Sequence, residues 1–410
     1  MYLDKIIQAQ NRGEAKGIPS ICSAHPWVLK AAMQQNAGVL LIESTCNQVN
    51  QYGGYTGMVP AEFVRYLRGI AEENNFPFNN IILGGDHLGP NVWQNEPADL
   101  AMQKAEVMIR DYVKAGFVKI HLDCSMSLAD DPEGGLDMEV AAMRAARLAK
   151  VAESAGDGNL RYVIGTEVPV PGGARTYEES VGVTKVENVQ RTLEATREAF
   201  LEAGLSSVFE RVIAIVVQPG VEFGDDFILP YKSDAARGLS KFIESRSMIF
   251  EAHSTDYQSR DALRDLIRDH FAILKVGPGL TFAFREAAFA LAMLEKELYP
   301  AGECSKLIET LDEVMLENPK YWRTYYQGNE KEQALKRKFS LSDRIRYYWI
   351  RPEVQNAFER MMKNLGEHTL PYSLLSQYVG ETGLNASQVI GWKINKVLGD
   401  YLAACGENKK

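Results

Sequence analysis

The feature that most constrains the fold is an alternation: short, nearly continuous apolar runs are separated, eight times over, by longer amphipathic stretches. The short runs are IPSICSAH (18–25), VLLIESTC (39–46), IILGGDH (81–87), VKIHLDCS (118–125), RYVIGTEV (161–168), RVIAIVVQ (211–218), SMIFEAHS (247–254) and FAILKVG (271–277). Runs of this length, apolar on both sides, suit strands covered on both faces of a parallel sheet. The stretches between them, such as ADLAMQKAEVMIRDYVKAG and MEVAAMRAARLAKVAESAG, space apolar residues by three and four and stop at Ala-Gly. That is helical patterning with a helix-ending signal. Eight regular strand–helix units favour closure into an α/β (β/α)8 TIM barrel over an open doubly wound sheet.

After Leu298 the rhythm changes. Residues 299–410 are helical and aromatic (NPKYWRTYYQG, SLSDRIRYYW, VIGWKINKVLGDYLAACG) with no strand pattern. The expected division is a barrel over 1–298 and a helical C-terminal extension, 299–410, packed on it.

Composition narrows the function. A hydrophobic content of 46% with 24% charged residues supports a large core, and a net charge of -9 offers nothing to neutralise a nucleic-acid backbone. A small anionic substrate remains admissible, because it needs only one local cradle of donors. The five cysteines are scattered, odd in number and without a CxxC pair, which reads as reduced thiols in the cytosol. No apolar run approaches the roughly 20 residues of a membrane span, and the N-terminus lacks an apolar signal core. The expectation is a soluble, cytoplasmic protein with no nucleic-acid or membrane partner.

Nearly every predicted strand ends in a residue able to do chemistry: His25, Glu43, Asp86 with His87, Asp123, Glu167, Gln218, His253 with Asp256, and Lys275. Catalytic groups of such barrels lie at the C-terminal ends of the strands, so these tips converge on one rim. His87, Glu167 and His253 together offer two imidazoles and a carboxylate to a divalent cation such as Zn2+ or Mn2+, with positions left for substrate oxygens. The bland alternative for each histidine is one satisfied hydrogen bond. Asp86 is the candidate acid/base, or else a turn aspartate; Asp123 and Glu43 are further candidates of the same kind.

Loops after the seventh and eighth strands, AHSTDYQSR and KVGPGLTFAFREA, hold Ser254, Thr255, Gly277 and Gly279 where barrels commonly bind phosphate. Gly277-Pro-Gly279 reads equally as a plain tight turn. QVNQYGGYTGM, after the second strand, offers Gln48, Asn50 and Tyr52 to a polyol. Arg346 in SLSDRIRYYW is a further candidate for the phosphate, and His25, Gln218, Asp256 and Lys275 complete the substrate contacts. Neither a dinucleotide fingerprint nor a Walker sequence is present.

On CSAHP, QVNQYGGYTGM, GGDHLGPN, KIHLDCSMS, IGTEVPVPGG, VVQPGVEF, EAHSTDYQ, LKVGPGLTFA and SLSDRIRYYW, the chain resembles the GatZ/KbaZ family, relatives of class II tagatose- and fructose-bisphosphate aldolases. The resemblance covers almost the full length and implies two competing functions. One is a non-catalytic subunit supporting a separate catalytic class II tagatose-1,6-bisphosphate aldolase. The other is a 4-epimerase interconverting D-tagatose 6-phosphate and D-fructose 6-phosphate. An older kinase label for members is disfavoured by the missing nucleotide motif. Against the catalytic aldolases, Asp86-His87 matches an acid/base Asp before a metal His, and His253 in EAHST matches a later metal His. Where they carry Gly-Thr-Ala-His, Ile-Gly-Thr-Glu stands here and offers Glu167. KVGPGLT is similar to their phosphate loop. The partners implied are a ketohexose phosphate, an aldolase catalytic subunit under the first reading, and further copies of the chain.

C4 of a 2-ketose is not adjacent to the carbonyl, so removing its proton gives no stabilised carbanion. Epimerisation there needs transient oxidation by a nicotinamide, or cleavage and re-formation of the C3–C4 bond. With no dinucleotide motif, the second route is expected: aldol chemistry with a metal, an acid/base carboxylate and an anchored phosphate.

Overall fold

The computed structural model describes residues 1–35, 38–133, 135–165 and 181–406. Eight parallel strands close into a barrel in chain order: β1 (Ile18–Ile21), β2 (Leu40–Thr45), β3 (Ile81–Leu88), β4 (Lys119–Leu122), β5 (Arg161–Ile164), β6 (Val212–Val216), β7 (Ile249–Ala252) and β8 (Phe271–Val276). Closure is the pairing of β8 with β1, Ile273 opposite Ile18 and Val276 opposite Ile21. Each strand is followed by its helix: α1 (Pro26–Gln34), α2 (Pro60–Glu73), α3 (Ala98–Lys114), α4 (Met138–Ala155), α5 (Val186–Glu202), α6 (Ser233–Ile243), α7 (Arg260–Arg268) and α8 (Pro278–Leu298). The (β/α)8 barrel expected from the sequence is therefore the fold.

Among the elements beyond the alternation, two stand out. A helix at Tyr2–Asn11 puts Leu3, Ile6 and Ile7, spaced by three and one along a single face, against Ile18, Leu41, Ile82, Val163, Ile213, Ile249 and Ile273. These residues form a separate apolar cluster in which the helix plugs one end of the barrel, and Arg161 ties it down through Asp4 at 2.7 Å. The second is a two-stranded antiparallel ribbon, Glu222–Phe223 with Ile228–Leu229, in the loop after β6.

Beyond α8 the chain forms helices Leu307–Glu317, Glu330–Phe339, Pro352–Leu365, Tyr372–Tyr378 and Ala386–Ala404, with no strand among the described residues. The last of these packs against α8, α7 and α1. Leu280, Phe284 and Leu291 of α8 share one apolar cluster with Leu311, Trp349, Ile390 and Leu398, so the core runs on past Leu298. Polar ties reinforce it: Asp343 accepts from Arg285 Nε at 3.0 Å and from Thr281 Oγ1 at 2.6 Å. A short 3-10 turn, Arg344–Tyr347, thereby reaches the mouth of the barrel.

Candidate metal and substrate site

β3 carries the local irregularity that makes the site. Gly85 pairs with Ile120 but Leu88 with Leu122, so Asp86 and His87 together oppose the single residue His121. This is a β-bulge, and His87 takes φ 48°, in the left-handed region. Adjacent strand residues normally point to opposite faces; here both side chains are buried toward the same cluster. Gly84 makes room beneath them, since a Cβ there would lie 2.7 Å from Cγ of Glu43.

Three imidazoles meet at the floor of the barrel mouth. Ring centroids are 5.1 Å apart for His87–His121, 4.9 Å for His87–His253 and 5.3 Å for His121–His253. Two carboxylates join them. Asp86 Oδ1 is 2.9 Å from His121 Nδ1, and Glu251 Oε1 is 3.0 Å from His253 Nε2. One ligand atom from each of Asp86, His121, Glu251 and His253 lies within 4.8 Å of every other. His87 adds a different signature: its Nδ1 contacts Asp123 Oδ2 at 2.7 Å while Nε2 has no partner. A carboxylate behind one ring nitrogen, with the other left free, is how metal-binding imidazoles are oriented. His121 Nε2 and His253 Nδ1 are likewise buried without partners. Buried polar atoms are rarely orphaned, so these three nitrogens fit a cation's donor set.

Electrostatics agree. Burial pushes His253 down to about 3 and lowers His87 as well, keeping both rings neutral and their lone pairs available at neutral pH. Burial raises Asp123, but the hydrogen bonds it accepts from His87 and Ser125 outweigh it and hold the carboxyl below its usual range. Asp86 is likewise held ionised against burial, by the Lys275 ammonium in contact with its Oδ2. Beneath the imidazoles lies a completely buried ionic layer. Lys119 Nζ is 2.6 Å from Glu43 and 2.8 Å from Glu251. Of the two acids Glu251 is the ionised one, since Lys119 and His253 together overcome burial; at Glu43 burial prevails over Lys119 and pushes it up to about 7.

Above this floor opens a cavity of about 640 Å³. His87, His253 and Lys275 line its base; Gln48, Ser254, Asp256 and Arg346 line its polar wall; His25, Phe284 and Trp349 line an aromatic one. His25 Nδ1 is buried without a partner, and burial lowers this ring to about 3, so it faces the cavity neutral.

Other residues expected at the substrate are engaged within the protein. Asn50 turns its carboxamide to Cys46 O and to the amides of Tyr52 and Gly54, and Tyr52 is 69% exposed against Trp93. Gln218 Oε1 accepts from the amides of Gly220 and Val221. Thr255 Oγ1 is engaged with Lys275 O and the Tyr401 hydroxyl. Gly277 and Gly279 turn their amides to Asp256. Glu43 and Asp123 act from behind the imidazoles rather than in the cavity. Glu167 lies outside the described residues. Sequence reasoning missed Lys119, His121 as a site residue, and Glu251. A signal existed: Lys119, His121 and Asp123, like Glu251 and His253, recur at the strand period of two and so share the inward face.

The comparisons with known proteins bear on this geometry. A family model described as D-tagatose-1,6-bisphosphate aldolase subunit GatZ/KbaZ-like matches residues 3–406. Among solved structures, one described as a probable tagatose 6 phosphate kinase from Sinorhizobium meliloti 1021 is 48% identical. It aligns with a TM-score of 0.88 over 95% of this chain and 100% of its own. The fructuronate-tagaturonate epimerase UxaE from Cohnella laeviribosi, at 10% identity, aligns with a TM-score of 0.50 over 95% of this chain and 81% of its own, a likeness of fold alone.

Proposed function

Because the chain belongs to the D-tagatose-1,6-bisphosphate aldolase subunit GatZ/KbaZ-like family, we propose that it is a divalent-metal-dependent ketohexose-phosphate 4-epimerase. Its reaction would interconvert D-tagatose 6-phosphate and D-fructose 6-phosphate by cleaving and re-forming the C3–C4 bond. The observation that carries this reading is the set of three mutually close, buried imidazoles with unpartnered nitrogens beside Asp86 and Glu251, of which His87 and His253 line the cavity floor.

Charge counting supports a cation there. Glu43, Asp86, Asp123 and Glu251 are four buried carboxyls facing two ammonium groups, Lys119 and Lys275, and the buried His87 and His253 rings are neutral. The excess is negative, and an uncompensated buried charge is costly. A divalent cation held by His87, His121, His253 and the adjacent carboxylates would supply the Lewis acidity that polarises the C2 carbonyl and stabilises negative charge developing at C3.

The chain's own groups do the rest. Asp86, ionised and backed by Lys275, takes the proton from O4 as the C3–C4 bond breaks, leaving a three-carbon enediolate and an aldehyde. Lys275 lines the cavity and holds the Asp86 carboxylate in place. The aldehyde turns its other face, C3 attacks it, and the proton returns to O4. No atom or electron is gained or lost. Phe284 and Trp349 keep one wall apolar, which limits water at the enediolate.

The test uses the purified chain alone with Mn2+ or Zn2+ and fructose 6-phosphate, with NMR detection of tagatose 6-phosphate. Conversion supports the reading. No conversion, together with stimulation of a class II aldolase catalytic subunit on mixing, replaces it with the supporting-subunit role.

A further inference from the structure

The sequence's clearest candidate for a phosphate cradle, the Gly277–Pro278–Gly279 turn opening α8, is already occupied from within. Asp256 Oδ2 accepts from the amide of Gly277 at 3.0 Å and from that of Gly279 at 2.8 Å. The glycines serve that approach: a Cβ at 279 would sit 3.1 Å from the same oxygen, and one at 277 would sit 3.0 Å from Cys22 O. Amide protons aimed at a resident carboxylate are not free for a second anion, and that carboxylate, 2% exposed, repels one.

Arg346 stands in the opposite situation. It lines the same cavity from the 3-10 turn Arg344–Tyr347 of the extension. Its Nη1 donates to the carbonyls of Ser342 at 2.5 Å and Asp343 at 3.0 Å, and its Nη2 to the Tyr347 hydroxyl at 2.8 Å. All three acceptors are neutral. Among the described residues no carboxylate oxygen lies within 4.0 Å of Arg346, whereas the nearby cations Lys275 and Arg285 are paired with Asp86 and Asp343. A guanidinium fixed in orientation by neutral acceptors, half-buried and facing a cavity, is set up to bind an oxyanion.

We propose that Arg346 is the anion anchor of this site and that Asp256 keeps the α8 N-terminus closed to a second one. Resting on the sugar-phosphate reading above, this explains why the substrate carries one phosphate rather than two. A bisphosphate needs two anion subsites, and the commonest barrel position for one of them carries a carboxylate here. The extension is then part of the specificity of the site.

Calorimetric titration of the full metal-loaded chain with fructose, fructose 6-phosphate and fructose 1,6-bisphosphate tests this. The 6-phosphate should bind at least tenfold tighter than fructose, and the bisphosphate no tighter than the 6-phosphate. Arg346→Met should bring 6-phosphate affinity down to that of fructose. Asp256→Gly, which frees both amides, should raise bisphosphate affinity severalfold; should that variant not fold, Asp256→Asn, which keeps the acceptor and removes the charge, should raise it less. Unchanged 6-phosphate binding in Arg346→Met, or a bisphosphate that binds the wild-type chain tenfold tighter than the monophosphate, overturns the assignment. Turnover followed separately by NMR keeps the two claims apart. Arg346-dependent binding without epimerisation sinks the enzyme reading and leaves the anion anchor standing. Epimerisation with no preference for phosphate does the reverse.

Discussion

The two ends of the barrel interior are built on opposite principles. At the plugged end, Leu3, Ile6 and Ile7 of the N-terminal helix meet Ile18, Leu41, Ile82 and Ile273, all apolar and close-packed. Toward the mouth, the same strands bury Glu43, Asp86, His87, Lys119, His121, Asp123, Glu251 and His253, each no more than 3% exposed. Strand geometry is common to both. Apolar burial stabilises at about 25 cal/mol per Å² whatever the partner, whereas buried charge is tolerated only with matched geometry. The plugged end can therefore repack; the mouth cannot without losing its chemistry. The contrast teaches where this chain holds stability and where it holds function.

The strongest way to break the comparison is at the mouth. His253→Ala removes an imidazole from the cation's donor set, and turnover should fall by about a thousandfold or more, roughly 4 kcal/mol of barrier. Bound metal, measured by elemental analysis, should fall with it while the far-ultraviolet dichroism stays native. Full metal content in both His253→Ala and His87→Ala would remove the metal assignment. Next in size is Lys119→Met, which strands Glu43 and Glu251 in the dry interior. Urea melts should show a loss of about 3–5 kcal/mol, the cost typical of breaking a buried ion pair from one side. At the plugged end, Ile7→Ala should cost about 3 kcal/mol by cavity formation yet leave kcat and metal content alone. Asp123→Asn should be milder still: the hydrogen bond orienting His87 weakens, and metal affinity should drop roughly 10–100-fold, read by competition with a chelator.

How far the sequence made this contrast legible follows from the same physics. The eight strands were readable because a strand covered on both faces must be apolar on both, and no other element of four to eight residues has that need. Asp86, His87 and His253 drew attention because they stand at strand ends, where barrels place chemistry. Glu251, His121 and Lys119 sit within strands, inside apolar runs, and were visible only through their period-two relation to His253 and Asp123. The polar loop residues misled for another reason. Asn50 and Gln218 have side chains that bond to backbone amides within a few residues, and nothing in residue type separates that local use from a sugar contact. The glycines of the α8 turn were read either as donors to a ligand or as a plain tight turn; that their amides meet Asp256, 21 and 23 positions earlier, is tertiary information. The N-terminal helix shows the 3.6-residue period, but what its apolar face covers depends on the barrel being closed.

The smallest effect expected is a pH dependence of stability arising at the mouth. In the metal-free chain His25 and His253 titrate at about 3 and His87 below its ordinary value. Unfolded histidine titrates near 6.5, so from pH 6.5 downward the unfolded chain takes up protons that the folded one refuses, and stability falls. Glu43, raised to about 7, opposes this. Between pH 7 and its unfolded value the folded chain holds a proton that the unfolded one lacks, so its contribution grows as pH falls. A second buried carboxyl, Glu222, is also pushed up to about 7 and acts in the same sense as Glu43, so the net change between pH 7 and pH 6 is a small difference between opposing contributions. Glu43→Gln removes one opposing group and should shift the change over that interval toward loss of stability by about 1 kcal/mol in urea melts, while Ile7→Ala, whose site holds no titrating group, should leave the pH slope as it is. An unchanged slope in Glu43→Gln would mean that Glu43 is ionised in the folded chain. Lys119 would then be shared equally by two carboxylates, and the negative excess at the mouth would be a full two charges rather than the smaller amount set by a half-protonated Glu43.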